Sequence, residues 1–126
     1  MVVCLHITMA WRMVAISFQE QFVPMLLAGT KRQTLRRTAR CRPGDRLQIY
    51  TGLRTKACRK LGEAICLFVD YCALRDSGLT FGNKALHPPT ADGFAQADGF
   101  KDYDAMIAWF HGKYGPGEFV GRIIKW

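Results

Sequence analysis

Apolar and polar positions alternate along several stretches of the chain and recur at helical spacing in others. Val14-Ala15-Ile16-Ser17-Phe18 alternates and predicts a first strand. From Gln19 to Ala28 the pattern changes: Phe22, Val23, Leu26 and Leu27 fall on one face of a helix, with Pro24 in the first turn and Gly29 as the C-terminal cap. Residues 31–42 are too polar for core and read as extended or looping, ending in the turn Cys41-Arg42-Pro43-Gly44-Asp45. Arg46-Leu47-Gln48-Ile49-Tyr50 alternates cleanly and predicts a strand that Thr51-Gly52 ends. Leu61 to Tyr71 is almost continuously apolar and predicts a central strand with a bulge near Gly62.

The C-terminal half is more broken. Leu79-Thr80-Phe81 predicts a short strand, Gly82-Asn83-Lys84 a turn, and His87-Pro88-Pro89 a loop. Ala91-Asp92-Gly93-Phe94 is echoed by Ala97-Asp98-Gly99-Phe100, too briefly for a structural repeat. Asp102 can cap a helix from Tyr103 to about Phe110 with Met106, Trp109 and Phe110 inward. A turn at residues 113–117 then leads into a last strand, Glu118 to Trp126. Strands outnumber helices, so the expected fold is α+β: a small mixed β-barrel flanked by two or three short helices. At 126 residues the chain makes one domain. That domain is expected over residues 13–126, with 1–12 as an N-terminal extension, since a compact unit can begin at Val14 and Met13 could be its start.

Charge changes the picture more than composition does. Eleven of the eighteen Lys and Arg residues fall between Lys31 and Lys60 with a single acid, Asp45; that segment carries +10 and the rest of the chain −2. Such a local excess attracts polyanions, nucleic acid above all. No apolar run reaches the roughly 18 residues of a membrane span, and the N-terminus lacks the basic region and cleavage site of a signal peptide. Five cysteines, Cys4, Cys41, Cys58, Cys66 and Cys72, form no C-x-x-C pair and fit reduced thiols in a cytoplasmic protein. His6, His87 and His111 are scattered without metal-ligand spacing. Asp92 and Asp98 read first as turn formers; a divalent cation between them is the lesser reading.

The basic segment opens with Gly29-Thr30-Lys31-Arg32-Gln33-Thr34-Leu35-Arg36. Lys31 and Thr34 lie three apart: on opposite faces if extended, on one face if helical. A threonine hydroxyl becomes a nucleophile only when a base takes its proton, and a lysine whose pKa is lowered by burial or by nearby cations can be that base. In the simpler reading Thr34 satisfies a backbone group and Lys31 contacts phosphate.

This stretch resembles the G-x-K-x-x-T-x-R motif of ASCH domains, relatives of PUA domains. The resemblance continues through Pro43-Gly44-Asp45-Arg46-Leu47, Tyr50-Thr51-Gly52-Leu53-Arg54, Ala95-Gln96-Ala97-Asp98-Gly99-Phe100 and Gly121-Arg122-Ile123-Ile124-Lys125-Trp126. It covers most of Val14 to Trp126 and is closest to the short bacterial and phage-associated members. It implies a PUA-like barrel with a cleft beside the first helix and RNA or a nucleoside as ligand. Some members are amidohydrolases that remove the acetyl group of N4-acetylcytidine with a Lys, a Thr and a Glu. By position these fall on Lys31, Thr34 and Asp98, the last one methylene shorter than Glu. Other members are ribonucleases, so the family does not fix one reaction.

The expected function is RNA or modified-nucleoside binding in a basic cleft; the alternatives are an amidohydrolase deacylating N4-acetylcytidine and a metal-dependent ribonuclease. Lys31, Arg32, Arg36, Arg37, Arg54, Lys56, Arg59 and Lys60 are the expected nucleic-acid contacts, joined on the same surface by Arg40 and Arg42, because guanidinium groups grip phosphate bidentately. Tyr50, and less strongly Phe94 and Phe100, are candidates to stack on bases. No cofactor and no membrane is expected, and the chain is expected to be a monomer or weak dimer.

Overall fold

Strand β8 (Phe119–Lys125) divides the molecule's interior in two. Its neighbours Ile123 and Ile124 point to opposite faces and enter different cores. The computed structural model describes residues 12–126. In it β1 (Met13–Phe18) runs parallel to β3 (Arg46–Thr51), and β3 pairs antiparallel with β4 (Arg59–Ile65), making a three-stranded sheet. The second sheet has five strands in the order β2 (Gln33–Arg36), β8, β5 (Phe68–Arg75), β6 (Gly78–Phe81), β7 (Lys84–Leu86), all antiparallel. Three helices complete the described residues: α1 (Val23–Ala28), preceded by a 3-10 turn at Glu20–Phe22, α2 (Pro88–Ala97) and α3 (Tyr103–Tyr114).

The class is α+β, as expected, but the described strands do not close into a barrel: the two sheets keep separate ladders. The reason lies in the long apolar run. Leu61 to Tyr71 is two strands, not one. Gly44 donates to the carbonyl of Cys66, Cys66 donates to that of Asp45, and one residue on Leu67 donates to Lys125, so the chain leaves one sheet and joins the other at Cys66-Leu67. The expected bulge is present, with the register of β3 and β4 shifting between Ile49 and Tyr50, opposite Leu61 and Gly62.

The larger core packs α2 and α3 on the five-stranded sheet through Leu35, Leu74, Leu79, Tyr103, Met106 and Phe110. The smaller one joins α1 to the three-stranded sheet through Phe18, Phe22, Leu47, Ile49 and Trp126. Phe22 and Val23 are buried as the helical spacing predicts, whereas Leu27, assigned to the same face, is 62% exposed. Gly29 ends α1 in the left-handed conformation at φ 78°, its N–H reaching the carbonyls of Leu26 and Met25.

The chief correction concerns Pro88 and Pro89, expected in a loop with His87: they open helix α2, which runs on to Ala97. Pro88 and Pro89 occupy its first positions, where a missing N–H costs nothing and the fixed φ suits the turn. Ala91 and Ala95, four apart, are its buried contacts. Helix α3 also runs on to Tyr114, past the expected end at Phe110, with Asp102 capping Ala105 N–H at 2.8 Å as predicted. Of the expected extension, residues 1–11 lie outside the described residues. The carbonyl of Arg12 accepts from Arg46 N–H, and its guanidinium pairs with Asp45 at 3.3 Å. No described helix is long and apolar enough to cross a membrane.

Candidate functional site

A cavity of about 440 Å³ opens between the end of β1 with the 3-10 turn, β2, the β3–β4 loop and the end of α3. That size suits a small organic ligand. Lys31, Thr34 and Asp98, the last more than sixty residues from the other two, all line it.

Each of the three is set by local structure. Past Gly29 the chain folds back on α1, with Thr30 and Lys31 N–H groups both reaching the carbonyl of Met25. This turn aims Lys31 inward before β2 begins, so neither a purely extended nor a purely helical spacing describes it. Thr34 is the second residue of β2 and is buried with Gln33 and Leu35. Asp98 caps the C-terminus of α2, its N–H bonded to the carbonyls of Phe94 and Ala95. Gly99 follows at φ 100°, and a Cβ there would meet Phe22 and Met25 at 3.1 Å. Only glycine lets this turn lie so close on α1, and the turn brings Asp98 to Lys31.

Lys31 Nζ donates to the backbone carbonyl of Asp98 at 2.6 Å and lies 3.3 Å from its Oδ1. Gln33 Nε2 reaches the same Oδ1 at 3.4 Å. Both charged side chains are almost fully enclosed, at 2% and 4% exposure. Burial pushes the Lys31 amine below its ordinary range, with Asp98 opposing the shift and Arg36 adding a little to it. Burial also pushes the Asp98 carboxyl up to about 6, against the pull of Lys31 and Gln33. Desolvation therefore outweighs attraction at both ends of the pair. The rings of Phe22 and Phe18 face Nζ at 4.8 and 5.8 Å and partly replace its lost hydration.

Arg36 has a different place from the one expected. It is anchored from within: Nε donates to Thr34 Oγ1 at 3.1 Å, Nη2 donates to the Ser17 carbonyl at 2.7 Å, and the guanidinium lies 4.8 Å from the Phe18 ring. Because Thr34 Oγ1 accepts from Arg36, its own proton is left to donate elsewhere. Arg36 also steadies any negative charge that grows on that oxygen.

The other expected contacts disperse. Arg37 is exposed and stacks 4.8 Å from the Tyr114 ring at the cavity rim. Arg59 approaches Glu20 at 3.8 Å beside the same mouth. Arg54 and Lys56 are exposed on the β3–β4 loop. Lys60 is tied to Glu63 at 2.6 Å, Arg32 donates to the carbonyl of Trp126, and Tyr50 is not among the residues lining the main cavity. The acid-poor segment thus recovers acids from elsewhere on folding, since Glu20 and Glu63 lie outside it. Phe94 packs on Phe81 and does not face a ligand, whereas Phe100 lines the cavity.

Sequence reasoning missed Gln33, and it placed Trp109 only in the core and Tyr114 in a turn. Trp109, Lys113 and Tyr114 line the cavity from the last turns of α3. The i, i+4 spacing of Trp109 and Lys113 was the available signal, with Lys113 Nζ 5.1 Å from the Trp109 ring. Asp92 is occupied by Tyr103 N–H at 2.9 Å and Asp98 by Lys31, so the two do not share a cation. Among the described residues no three His, Cys, Asp or Glu side chains gather to hold a metal ion. Cys41, Cys66 and Cys72 are buried and their thiols pushed up, Cys66 to about 11 and Cys72 to about 12, so none of these three is a nucleophile at neutral pH. Comparison of the chain with family models, with curated proteins and with solved structures returns no match.

Proposed function

We propose that the protein is an ASCH-like, PUA-like amidohydrolase that takes a nucleobase into the main cavity and removes an acyl group from its exocyclic amine, as in N4-acetylcytidine. The observation that carries this reading is the enclosed Lys31–Asp98 pair lining one cavity with Thr34. A buried ion pair adds little to stability over apolar packing, so its presence in a hollow supports reading that hollow as a functional site. Aromatic rings on several sides, Phe18, Phe100 and Trp109 among them, suit a planar guest.

In this scheme Thr34 Oγ attacks the acyl carbonyl carbon while Lys31, in its neutral form, takes the hydroxyl proton. The C–N bond breaks, and Lys31 returns that proton to the leaving amine. Water then attacks the acyl carbon of the Thr34 ester, giving a proton to Lys31; the Oγ–acyl bond breaks, Lys31 returns that proton to Thr34 Oγ, and the carboxylic acid departs. Asp98 orients Lys31 through its carbonyl and carboxylate, and Arg36 holds Thr34.

The second reading is RNA binding without turnover. It is favoured by Arg37, Arg54 and Lys56, exposed cations for which no described carboxylate lies within 4 Å. The metal-assisted ribonuclease gains no donor set from the described residues. Incubation with N4-acetylcytidine separates the first two: the amidohydrolase releases cytidine, and Lys31→Ala abolishes the release. The binding module releases none and instead holds RNA with an affinity that falls steeply as salt rises.

A further inference from the structure

Beyond Arg36 lies a second hollow of about 230 Å³. Ser17, Arg36 and Leu53 line both it and the main cavity, so the two adjoin across one wall. The chemistry of the second hollow differs from that of the first. Its charged lining is Arg36, Arg40 and Arg54, with the hydroxyls of Thr38 and Ser17, and no lining residue is acidic. Among the described residues no carboxylate comes within 4 Å of any of the three guanidiniums. Elsewhere in the basic segment acids return on folding, as at Lys60–Glu63; here they do not. Three cations around one hollow without a counter-charge repel one another, and that arrangement is relieved by a bound anion.

The loop bearing Arg54 is held in an unusual shape. Arg54 is the one non-glycine among the described residues with positive φ, at 69°. Such a backbone is disfavoured for arginine and persists only where its surroundings impose it. They do so here: Leu53 N–H donates to Ser17 Oγ at 3.1 Å, Thr55 N–H donates to Gly52 O at 3.0 Å, and a Cβ at Gly52 would meet Ala57 O at 2.8 Å. Ser17 thereby fixes the Arg54 loop to the wall that the two hollows share.

We infer that the second hollow is a phosphate subsite, held by Arg36, Arg40 and Arg54, and that the ligand of the whole site is a nucleotide whose base enters the main cavity and whose phosphate ester crosses the Arg36–Ser17 wall. Guanidinium forks match phosphate oxygens bidentately, and the hydroxyls of Thr38 and Ser17 can donate to the remaining ones. This inference rests on the reading of the main cavity as a nucleobase site, and narrows its substrate from nucleoside to nucleotide. The phosphate belongs to a free nucleotide or to a polynucleotide backbone; the chemistry of recognition is the same.

Titration calorimetry of cytidine, its 5′- and 3′-monophosphates and a cytidine dinucleotide tests the inference, on wild type and on Arg40→Gln and Arg54→Gln. Both replaced side chains are exposed, so the fold survives, and cytidine affinity reports on it. One monophosphate is expected to bind about tenfold or more tighter than cytidine, the scale of one charged hydrogen bond. Each variant is expected to lose most of that gain while binding cytidine as wild type does. A dinucleotide that binds tighter still identifies a polynucleotide source; one that binds no tighter identifies a free nucleotide. Equal affinity for cytidine and every phosphorylated form, or a gain that survives both substitutions, overturns the subsite. If N4-acetylcytidine is nevertheless hydrolysed, only the subsite falls. If neither cytidine nor any nucleotide binds, the nucleobase reading falls and the subsite with it.

Discussion

Lys31 Nζ sits 2.6 Å from the backbone oxygen and 3.3 Å from the carboxylate of Asp98, 67 residues away, and water reaches neither side chain freely. Removing one partner leaves the other charge, or its forced neutral form, buried alone. Lys31→Met is expected to cost on the order of 3 kcal/mol at pH 7. The cost shrinks below the Asp98 pKa of about 6, where the carboxyl is neutral without help. Lys31→Met combined with Asp98→Asn is expected to recover much of the loss, since no lone charge remains. Urea midpoints of the three variants at pH 5 and pH 7 check this.

The pair also predicts how stability depends on pH. Asp98 is raised from 3.8 to about 6, so between those values the folded protein holds a proton that the unfolded chain has released. A raised acid contributes stability that is present at low pH and lost as pH rises through this window. The difference in unfolding free energy between wild type and Asp98→Asn should therefore become less favourable to wild type from pH 4 to pH 6.5. Parallel curves for the two proteins would show that the carboxyl titrates alike in both states.

Gly121 tests the wall of the site from behind. It lies on β8 beside β2, and a Cβ there would come within 2.2 Å of the Arg36 carbonyl oxygen. Backbone cannot swing aside as a side chain can, so Gly121→Ala is expected to cost about 1–3 kcal/mol. It also displaces Arg36 and so lowers turnover in the fraction that remains folded. Denaturation and turnover, measured together at low temperature, check both effects.

Alternation found β1 and β3 because each alternates more and less buried positions, and the last strand because it does so from Phe119 to Ile123, before Ile124 breaks the period. The long apolar run misled because apolar residues continue on both sides of Cys66 across the change of sheet, although Ile65 and Leu67 themselves are exposed. Helix α2 was missed because alanines, not large apolar side chains, form its contacts and because two prolines open it. That helix carries Asp98, so spacing alone could not bring Asp98 to Lys31; only the resemblance joined them. Charge counting located the basic segment but could not see Glu20 and Glu63 returning to neutralise parts of it. Arg36 looked like one more cation of the run, but it lies two residues from Thr34 on β2, on the same face of the strand, and both line the cavity.

The most direct test of the central claim is a single-turnover time course with N4-acetylcytidine at excess enzyme, comparing wild type with Lys31→Met. The account predicts equal amounts of cytidine and acetate from wild type, and a rate at least about a hundredfold lower in the variant, the scale expected when a positioned general base is removed. No cytidine from wild type at any enzyme concentration, or equal rates from the two proteins, would contradict it.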